Sequence, residues 1–350
     1  MERVTACQGG RFAFCSMIDS ANHIARPLQG SLLAAVSRSF YLSLRFLPTP
    51  VRGALSVSYL LARAADTIAD VEASPAEQRL VLLGQFRERL SGGGQSSAGG
   101  DFFGQVREFA SAVDHAGERE LLERLGECFA SVDRLSIPAQ GQVRAVLGHI
   151  LDGMTLDLKR FPNAAELRSL QTPAELDEYT WLVAGCVGEF WTAICAGEMP
   201  GVFTRSTSEM TALGRNYGKG LQLINILRDQ AGDAAIGRCY LPEESLQSAG
   251  AGPLAWPAVD WRSWHVVRRD LIAQARTFLA DGWVYAASQR SIRLRFAALM
   301  PLMIGAGTLT RMEALPVEGA PAAVKITRPE VKRLARRALW MALTGRIKPD

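Results

Sequence analysis

Apolar residues recur at every third or fourth position from Leu28 onward, and this spacing limits the possible folds more than any other feature. It aligns apolar side chains on one face of an α-helix, whereas the strictly alternating runs typical of half-buried strands are nearly absent. The sequence therefore predicts an all-α protein. The expected helices span residues 51–70, 76–90, 102–132, 139–159, 173–196, 206–231, 260–287, 293–309 and 328–344.

A length of 350 residues with 48% hydrophobic residues is sufficient for one large buried core. We predict an N-terminal extension at residues 1–30 and a single helical domain at residues 31–345. Residues 91–100, rich in glycine and serine, are predicted to form a surface loop, because no strand precedes them and no phosphate-binding motif follows. Residues 245–257 are predicted to form a loop within the domain rather than a boundary.

The charges and the cysteines limit where the protein is expected to be located and what it is expected to bind. The formal charge of +4 arises without a basic tract, which argues against nucleic acid as a partner. The six cysteines lie far apart without a CxxC motif, as in proteins with reduced thiols. No signal peptide is evident, and the uncharged stretch at residues 296–310 is too short, and interrupted by Pro301, to span a bilayer. We predict a cytoplasmic, monomeric protein.

Four polar residues form a stripe on the helix predicted at residues 51–70. Tyr59, Arg63, Asp66 and Asp70 fall within an arc of about 60° on this helix. We call them the first acidic stripe. It either lines a polar cavity inside a helical bundle or faces water with a surface ion pair between Arg63 and Asp66, and this helix alone does not decide between the two.

A second acidic stripe lies on the helix predicted at residues 206–231 and just beyond its end. It consists of Gln222, Asn225, Asp229 and Asp233, which fall within an arc of about 80°. The flanking residues are mostly Leu and Ile, so this helix should be buried, and buried carboxylates are costly unless cations compensate them. Two DxxxD pairs on two helices therefore predict a shared cation site. Oxygen ligands of this kind suit Mg²⁺, which commonly bridges carboxylates and phosphates.

Arginines lie beside both stripes, at Arg63, Arg228 and Arg238. The guanidinium group offers several donors in a rigid fork that matches phosphate oxygens. No P-loop or kinase motif accompanies them. We therefore expect a diphosphate that serves as the leaving group of a hydrophobic substrate, which is the chemistry of isoprenoid ionisation.

Three segments in order resemble the signatures of the squalene and phytoene synthase family. They are SRSFYLSLRFLP at 37–48 with the DTIAD segment ending at Asp70, DEYTWLVAGCVGEF at 177–190, and NILRDQAGDAAIGRCYLP at 225–242. Single DxxxD matches are weak, but three signatures at these spacings are specific. The resemblance covers about residues 31–335. It implies an isoprenoid synthase-type helical bundle around a central apolar cavity, in which two prenyl diphosphates are joined head to head.

The resemblance also implies roles for individual residues. Tyr179, before the VAGCVG segment, would act as an acid/base relay with the released diphosphate, and Val183 would lie against the reacting chains. Gly185 and Gly188 are interpreted as close helix packing, since they lie within a helix. The remaining implied roles are metal binding by Asp66, Asp70, Asp229, Asp233 and Asn225, phosphate binding by Arg38, Arg63, Arg228 and Arg238, orientation of metal and substrate by Gln222 and Asn225, and cavity lining by Phe40 and Tyr59.

Two segments bear on the product. Residues 301–309 and 323–331 resemble patterns of squalene synthases. We therefore expect condensation of two farnesyl diphosphates through presqualene diphosphate to squalene, with Mg²⁺ and NADPH. The alternatives are a phytoene or dehydrosqualene synthase without a reductive step and, in another class, a non-catalytic helical binding partner that retained the fold.

The C-terminal segment at residues 331–348 combines basic and apolar residues, including Trp340, without an acid. Such a segment suits weak, salt-sensitive adsorption to an anionic membrane. The other interpretation is an ordinary terminal helix with its arginines in water. A possible peripheral location at the inner face of the membrane follows from the first.

Overall fold

The computed structural model describes residues 28–37, 40–71, 73–92, 101–162, 166–252, 254–255, 257–316 and 324–348. These residues are mostly helical, with only two short strands among them, which confirms the predicted all-α class. The first half contains a π-helical turn at Leu28–Leu32, then α1 (Leu33–Ser37), α2 (Phe40–Phe46), α3 (Thr49–Asp70), α4 (Ala76–Leu90), α5 (Phe102–Ala110), α6 (Ala116–Glu123), α7 (Leu125–Val132) and α8 (Ile137–Arg160).

The second half begins with the short strand β1 (Arg168–Leu170) and ends with the C-terminal helix. Between them lie α9 (Pro173–Thr180), a π-helical turn at Trp181–Gly185, α10 (Cys186–Glu198), α11 (Thr207–Ala235), β2 (Arg238–Pro242), α12 (Glu243–Ser248), α13 (Trp261–Ala287), α14 (Ile292–Glu313) and α15 (Arg328–Thr344). The first described helical turn begins three residues before the predicted domain boundary, and residues 1–27 of the predicted extension lie outside the described part.

Local sequence sets the ends of the long helices. Pro50 lies in the first turn of α3, where a missing backbone N–H costs nothing. Ser206 and Glu209 form a reciprocal capping box at the start of α11. Gly345 ends α15 with a left-handed φ of 69° that other residues rarely adopt. These signals position the two long helices that carry the acidic stripes.

Three details of the predicted secondary structure are wrong. The helix predicted at 102–132 is three shorter helices, α5 to α7, because His115 caps a new helix start and Arg124 interrupts the next turn. Part of the loop predicted at 245–257 is helical, since α12 extends to Ser248. Strands β1 and β2 form a small parallel pair that the sequence analysis did not anticipate.

Helix α11 packs very closely against the preceding helical segment. A Cβ atom at Gly188 would lie 1.9 Å from the backbone oxygen of Gly214, and one at Gly218 would lie 2.2 Å from that of Ala184. At Gly185 a Cβ atom would contact the side chains of Lys219 and Trp181. The predicted packing role of Gly185 and Gly188 is confirmed.

Two helical segments, Pro173–Glu198 and Ile292–Glu313, are long and apolar enough to cross a membrane by length and composition. Both belong to the packed bundle: 44% and 61% of their most apolar windows are buried inside the protein. The second extends beyond the uncharged stretch 296–310 at both ends. Burial of this kind is what a core helix of a folded domain requires.

Candidate active site

The first acidic stripe lies on α3 and is held by a neighbouring helix. Nη1 of Arg63 lies 2.5 Å from Oδ2 of Asp66, and Nη2 of the same guanidinium pairs with Glu118 on α6. Thr67 Oγ1 donates to the backbone oxygen of Arg63 at 2.9 Å. Arg63 thus bridges two carboxylates from different helices.

Negative charge is unfavourable on this stripe without a compensating cation. Burial, together with the Asp70 carboxylate, raises the pKa of Asp66 to about 7 against the opposing effect of Arg63. Desolvation also raises the pKa of Asp70, although the nearby Arg238 lowers it. A carboxyl group whose pKa is raised by burial and by like charges gains stability when a cation is bound. The stripe is therefore chemically suited to a metal ion.

The second acidic stripe lies near the C-terminal end of α11 and is more open. Nε of Arg228 donates to Oδ1 of Asp229 at 2.9 Å, and Asn225 Nδ2 lies 3.4 Å from Gln222 Oε1. Burial raises the pKa of Asp233 to about 7, and the Asp229 carboxylate adds to the shift. Both stripes thus contain a carboxyl group poised near neutrality.

Strand β2 brings further groups to the same place. Because side chains alternate along a strand, Arg238 and Tyr240 share one face, while Cys239 and Leu241 pack into a small apolar cluster on the other. Tyr240 Oη donates to Oδ1 of Asp157 at 2.8 Å, and Arg238 Nη1 lies 3.2 Å from Oδ2 of the same carboxylate. Asp157 is a buried residue of α8 and belongs to neither stripe.

The Arg238 guanidinium acts electrostatically on a carboxylate of each stripe. Arg238 lowers the pKa of Asp70 and of Asp233, while Asp157 raises that of Asp233. Asp70 is the last residue of α3, and Asp233 lies in the last turn of α11. Neither of these two turns contains a basic residue. The C-terminal end of a helix carries partial negative charge, so both helix ends add to the attraction for cations.

Tyr179 lies beside this cluster. Its ring stacks on that of Tyr240 with centroids 5.0 Å apart and an interplanar angle of 20°. Burial and the neighbouring Tyr240 raise the pKa of Tyr179 well above its ordinary value, so its phenol is neutral at physiological pH. Two residues earlier, Asp177 pairs with the buried Lys219 of α11 and connects α9 to that helix.

The other predicted substrate contacts are only partly described. Tyr59 Oη donates to the backbone oxygen of Val36 at 3.2 Å and influences Arg63. Val183 follows Tyr179 by one turn and packs against α8. Arg38 and the side chain of Phe40 lie outside the described residues. Their predicted roles therefore remain predictions.

The carboxylates, amides and arginines of the two stripes fit Mg²⁺. Among the described residues, no group of three or more His, Cys, Asp or Glu side chains is arranged to hold a metal ion. Paired carboxylates that complete their coordination with water and substrate phosphate are the usual arrangement for Mg²⁺. The raised pKa of Asp66 and of Asp233 indicates where positive charge is missing.

Three residues of the site were missed by the sequence analysis: Glu118, Asp157 and Tyr240. Asp157 carries a weak signal, because it is an acid between Leu156 and Leu158 in a largely apolar helix. Tyr240 lies inside the quoted segment GRCYLP, but nothing in that pattern distinguishes a site residue from a core residue. Glu118 has no signal of its own, because its role depends on how α6 packs against α3.

Residues 33–333 match the squalene/phytoene synthase family. The chain belongs to this family. Presqualene diphosphate synthase of Zymomonas mobilis is 30% identical over 329 residues, which cover 91% of this chain and 92% of that protein. The enzyme of the same name from Sinorhizobium fredii is 32% identical over 218 residues, which span 62% of each protein. The solved ligand complex of TcSQS, 24% identical, superposes with a TM-score of 0.68 over 93% of this chain and 90% of its own.

Family membership confirms the predicted single-domain bundle and identifies the protein as a prenyltransferase of isoprenoid biosynthesis. The family joins prenyl diphosphates head to head. The part that the two acidic stripes take in this reaction remains a prediction. The ion pair expected between Arg63 and Asp66 is present, and Arg63 also pairs with Glu118 of α6. That the first acidic stripe lines a polar cavity remains a prediction.

Proposed function

We propose that this protein condenses two molecules of farnesyl diphosphate head to head and forms presqualene diphosphate. The observation that supports this most strongly is that the charge of Arg238 lowers the pKa of Asp70 on one acidic stripe and of Asp233 on the other. Carboxylates and arginines in one cluster suit a ligand that brings both phosphate oxygens and a divalent cation. We also propose that the active unit is a monomer.

Ionisation of the first substrate is the difficult step. Asp66, Asp70, Asp229 and Asp233, with Asn225, would hold Mg²⁺, which when bound stabilises charge on the departing diphosphate. Arg63, Arg228 and Arg238 would donate to the same phosphate oxygens. The allylic C–O bond then breaks with its electron pair moving to the diphosphate, and a carbocation remains.

Condensation follows in the apolar part of the bundle. The double bond of the second farnesyl chain attacks the carbocation, and loss of a proton closes the cyclopropane ring. Tyr179, neutral and stacked on Tyr240, would pass this proton to the released diphosphate. Apolar helices around the reacting chains would exclude water, which would otherwise convert the carbocation into an alcohol.

Two lines of argument bear on where the reaction stops. The relatives at 30% and 32% identity are both named presqualene diphosphate synthase, which favours release at that stage. The resemblance of residues 301–309 and 323–331 to squalene synthases favours a second candidate, further reduction of presqualene diphosphate to squalene with NADPH as a co-substrate.

Incubation with farnesyl diphosphate and Mg²⁺, with and without NADPH, distinguishes these products. We expect presqualene diphosphate under both conditions. Squalene only with NADPH would support the second candidate, and phytoene-type or dehydrosqualene products without NADPH would support the non-reductive alternative. Absence of any diphosphate release, with a folded protein, would favour the non-catalytic alternative and contradict the proposal.

We also propose that the protein is cytoplasmic and associates with the inner face of an anionic membrane through α15. The exposed residues of this helix fall within an arc of about 180°. Leu339, Trp340 and Leu343 are 40%, 53% and 59% exposed on that face. Around them, and without an acid between them, lie the exposed cations Lys332, Arg333, Arg336 and Arg337.

The opposite face of α15 packs on the bundle through Ala338, Met341 and Ala342. Beside it, an apolar groove of about 490 Å³ between α13 and α14 is lined in part by Leu334 and Ile347. Basic and apolar side chains together bind anionic lipid surfaces, and the binding weakens as salt screens the charges. Such a surface would also suit an enzyme whose products are nearly insoluble in water.

Sedimentation with anionic vesicles at low and high salt tests this location. We expect the intact chain to sediment at low salt only, and a variant with Arg333→Ser, Arg336→Ser and Trp340→Ser to stay in the supernatant. The matched control carries Arg107→Ser, Arg262→Ser and Arg269→Ser, three exposed arginines elsewhere. Equal sedimentation of all three proteins would contradict the role of α15.

A further inference from the structure

Asp157 is a buried carboxylate that no part of the proposed reaction uses. Its side chain is 12% exposed and lies on α8, away from both acidic stripes in sequence. Burial raises its pKa, whereas Arg238 and the hydrogen bond from Tyr240 lower it. A buried acid is costly unless each oxygen finds a donor, so the two donors from β2 explain how Asp157 is accommodated.

The two bonds of Asp157 fix two different groups of β2. Oδ1 accepts from Tyr240 at 2.8 Å, and Oδ2 faces Arg238 Nη1 at 3.2 Å. Tyr240 in turn stacks on Tyr179, with ring centroids 5.0 Å apart. Arg238 interacts with Asp70 of one stripe and with Asp233 of the other. One carboxylate thus connects the proposed proton relay with the centre of the cation site.

The position of Arg238 matters because it is a cation beside carboxylates that would hold Mg²⁺. A guanidinium group free to turn towards Asp70 or Asp233 would form an ion pair there and compete with the metal. While Asp157 holds it, Arg238 compensates part of the negative charge of these carboxylates and remains available to bind a phosphate. On the first stripe, by contrast, Arg63 pairs with Asp66 as well as with Glu118.

We propose that Asp157 is a positioning residue that anchors Arg238 and Tyr240, keeping Arg238 from occupying the metal-binding carboxylates and Tyr240 stacked against Tyr179. The activity measurement that tests this inference rests on the proposed function, whereas the binding measurement does not. Groups that orient the ligands of a metal site commonly change affinity or activity 10- to 100-fold when replaced.

The test uses Asp157→Asn, which keeps the shape of the side chain but removes the negative charge opposite Arg238. We expect the Mg²⁺ concentration for half-maximal diphosphate release to rise at least about fivefold and kcat to fall about tenfold. Asp157→Glu restores the charge and should recover most of the Mg²⁺ affinity. Tyr240→Phe should lower kcat while leaving the Mg²⁺ requirement unchanged, because it removes only the phenol bond.

A binding readout separates this inference from the proposed reaction. Mg²⁺ with inorganic diphosphate should raise the unfolding temperature of the intact protein, and Asp157→Asn should lose most of that increase. The matched control is Asp152→Asn on the same helix, an exposed acid paired with Arg87, which should behave like the intact protein. If Asp157→Asn lowers thermal stability but keeps the Mg²⁺ and diphosphate response, Asp157 is only structural and the inference is wrong.

If the intact protein binds Mg²⁺ and diphosphate but does not convert farnesyl diphosphate, the proposed function fails while the binding comparison still tests Asp157. An equal loss in Asp157→Asn and Asp157→Glu, without a change in Mg²⁺ affinity, would also overturn the inference.

Discussion

The two acidic stripes carry similar residues, but the fold supports them differently. On α3, Arg63 is held between Asp66 and Glu118, and the Arg63 and Glu118 side chains are only 25% and 13% exposed. On α11, Arg228 pairs with its own neighbour Asp229, and the two side chains are 37% and 50% exposed. The arginine of the first stripe is packed between α3 and α6, whereas the arginine of the second stripe is more exposed.

This difference separates the contribution to stability from the contribution to catalysis. Removing one partner of a largely buried ion pair destabilises the fold, because the remaining charge is buried without compensation. An exposed pair contributes little to stability. Substitutions in the first stripe should therefore affect both folding and turnover, and substitutions in the second should affect mainly turnover.

The largest expected effect tests whether both stripes serve one reaction. Asp66→Asn and Asp229→Asn should each lower diphosphate release on the order of 10³-fold, because each removes a proposed metal ligand. Circular dichroism should still report a helical protein. The exposed Asp152→Asn serves as a control with near-normal turnover. Near-normal turnover of Asp229→Asn would contradict a shared metal site.

Tyr179 lies beside the groups of β2 that connect the two stripes. Tyr179→Phe should lower turnover about 10²-fold, the scale of a lost acid/base group, with a smaller effect on KM. Tyr285→Phe is the matched control, since it removes another buried phenol that bonds Thr192 at 2.9 Å. If both variants keep the normal rate, Tyr179 is a core residue rather than a proton relay.

Chemical unfolding can compare how much the contacts of Arg63 and those of Arg228 contribute to stability. Glu118→Gln should lower the free energy of unfolding by about 1–3 kcal/mol, because it leaves Arg63 partly buried with one partner fewer. Arg228→Gln should change it by less than about 1 kcal/mol, although it weakens substrate binding. Equal destabilisation by the two variants would remove the distinction drawn between the stripes.

The smallest expected effect is the pH dependence of the stability of the metal-free protein. The pKa of Asp66 and that of Asp233 are both raised to about 7, above the value of about 3.9 in an unfolded chain. The folded state thus binds more protons than the unfolded state between these values, and stability should fall as pH rises from about 4 to above 7. The variant Asp66→Asn with Asp233→Asn should show a shallower decrease, measured by chemical unfolding in a chelator.

An increase in stability over the same pH range, or an unchanged slope in the double variant, would show that the carboxylates are already compensated in the metal-free protein. Added Mg²⁺ should reverse the decrease in the intact protein, because metal binding favours the ionised carboxylates.

Local signals in the sequence were sufficient for most helices. The bounds of α4 and α15 agree with the prediction, because Pro75 precedes one and Pro329 and Gly345 mark the ends of the other. The break between α5 and α7 was not predictable from spacing, since each short helix buries its own apolar residues and the periodic pattern continues across the breaks. Strand β2 was missed because parallel pairing with β1 requires a partner 70 residues away in sequence.

The spacing of Asp66, Asp70, Asp229 and Asp233 by itself determined that each helix carries its acids on one face, because helical periodicity is a local property. Which groups support those acids was decided only by the tertiary structure. Glu118 and Asp157 come from other helices, and Tyr240 comes from a short strand; none has a recognisable spacing to the residue it holds. Long-range packing brings them together, and the burial that results shifts the carboxyl pKa values in a way that no local pattern encodes.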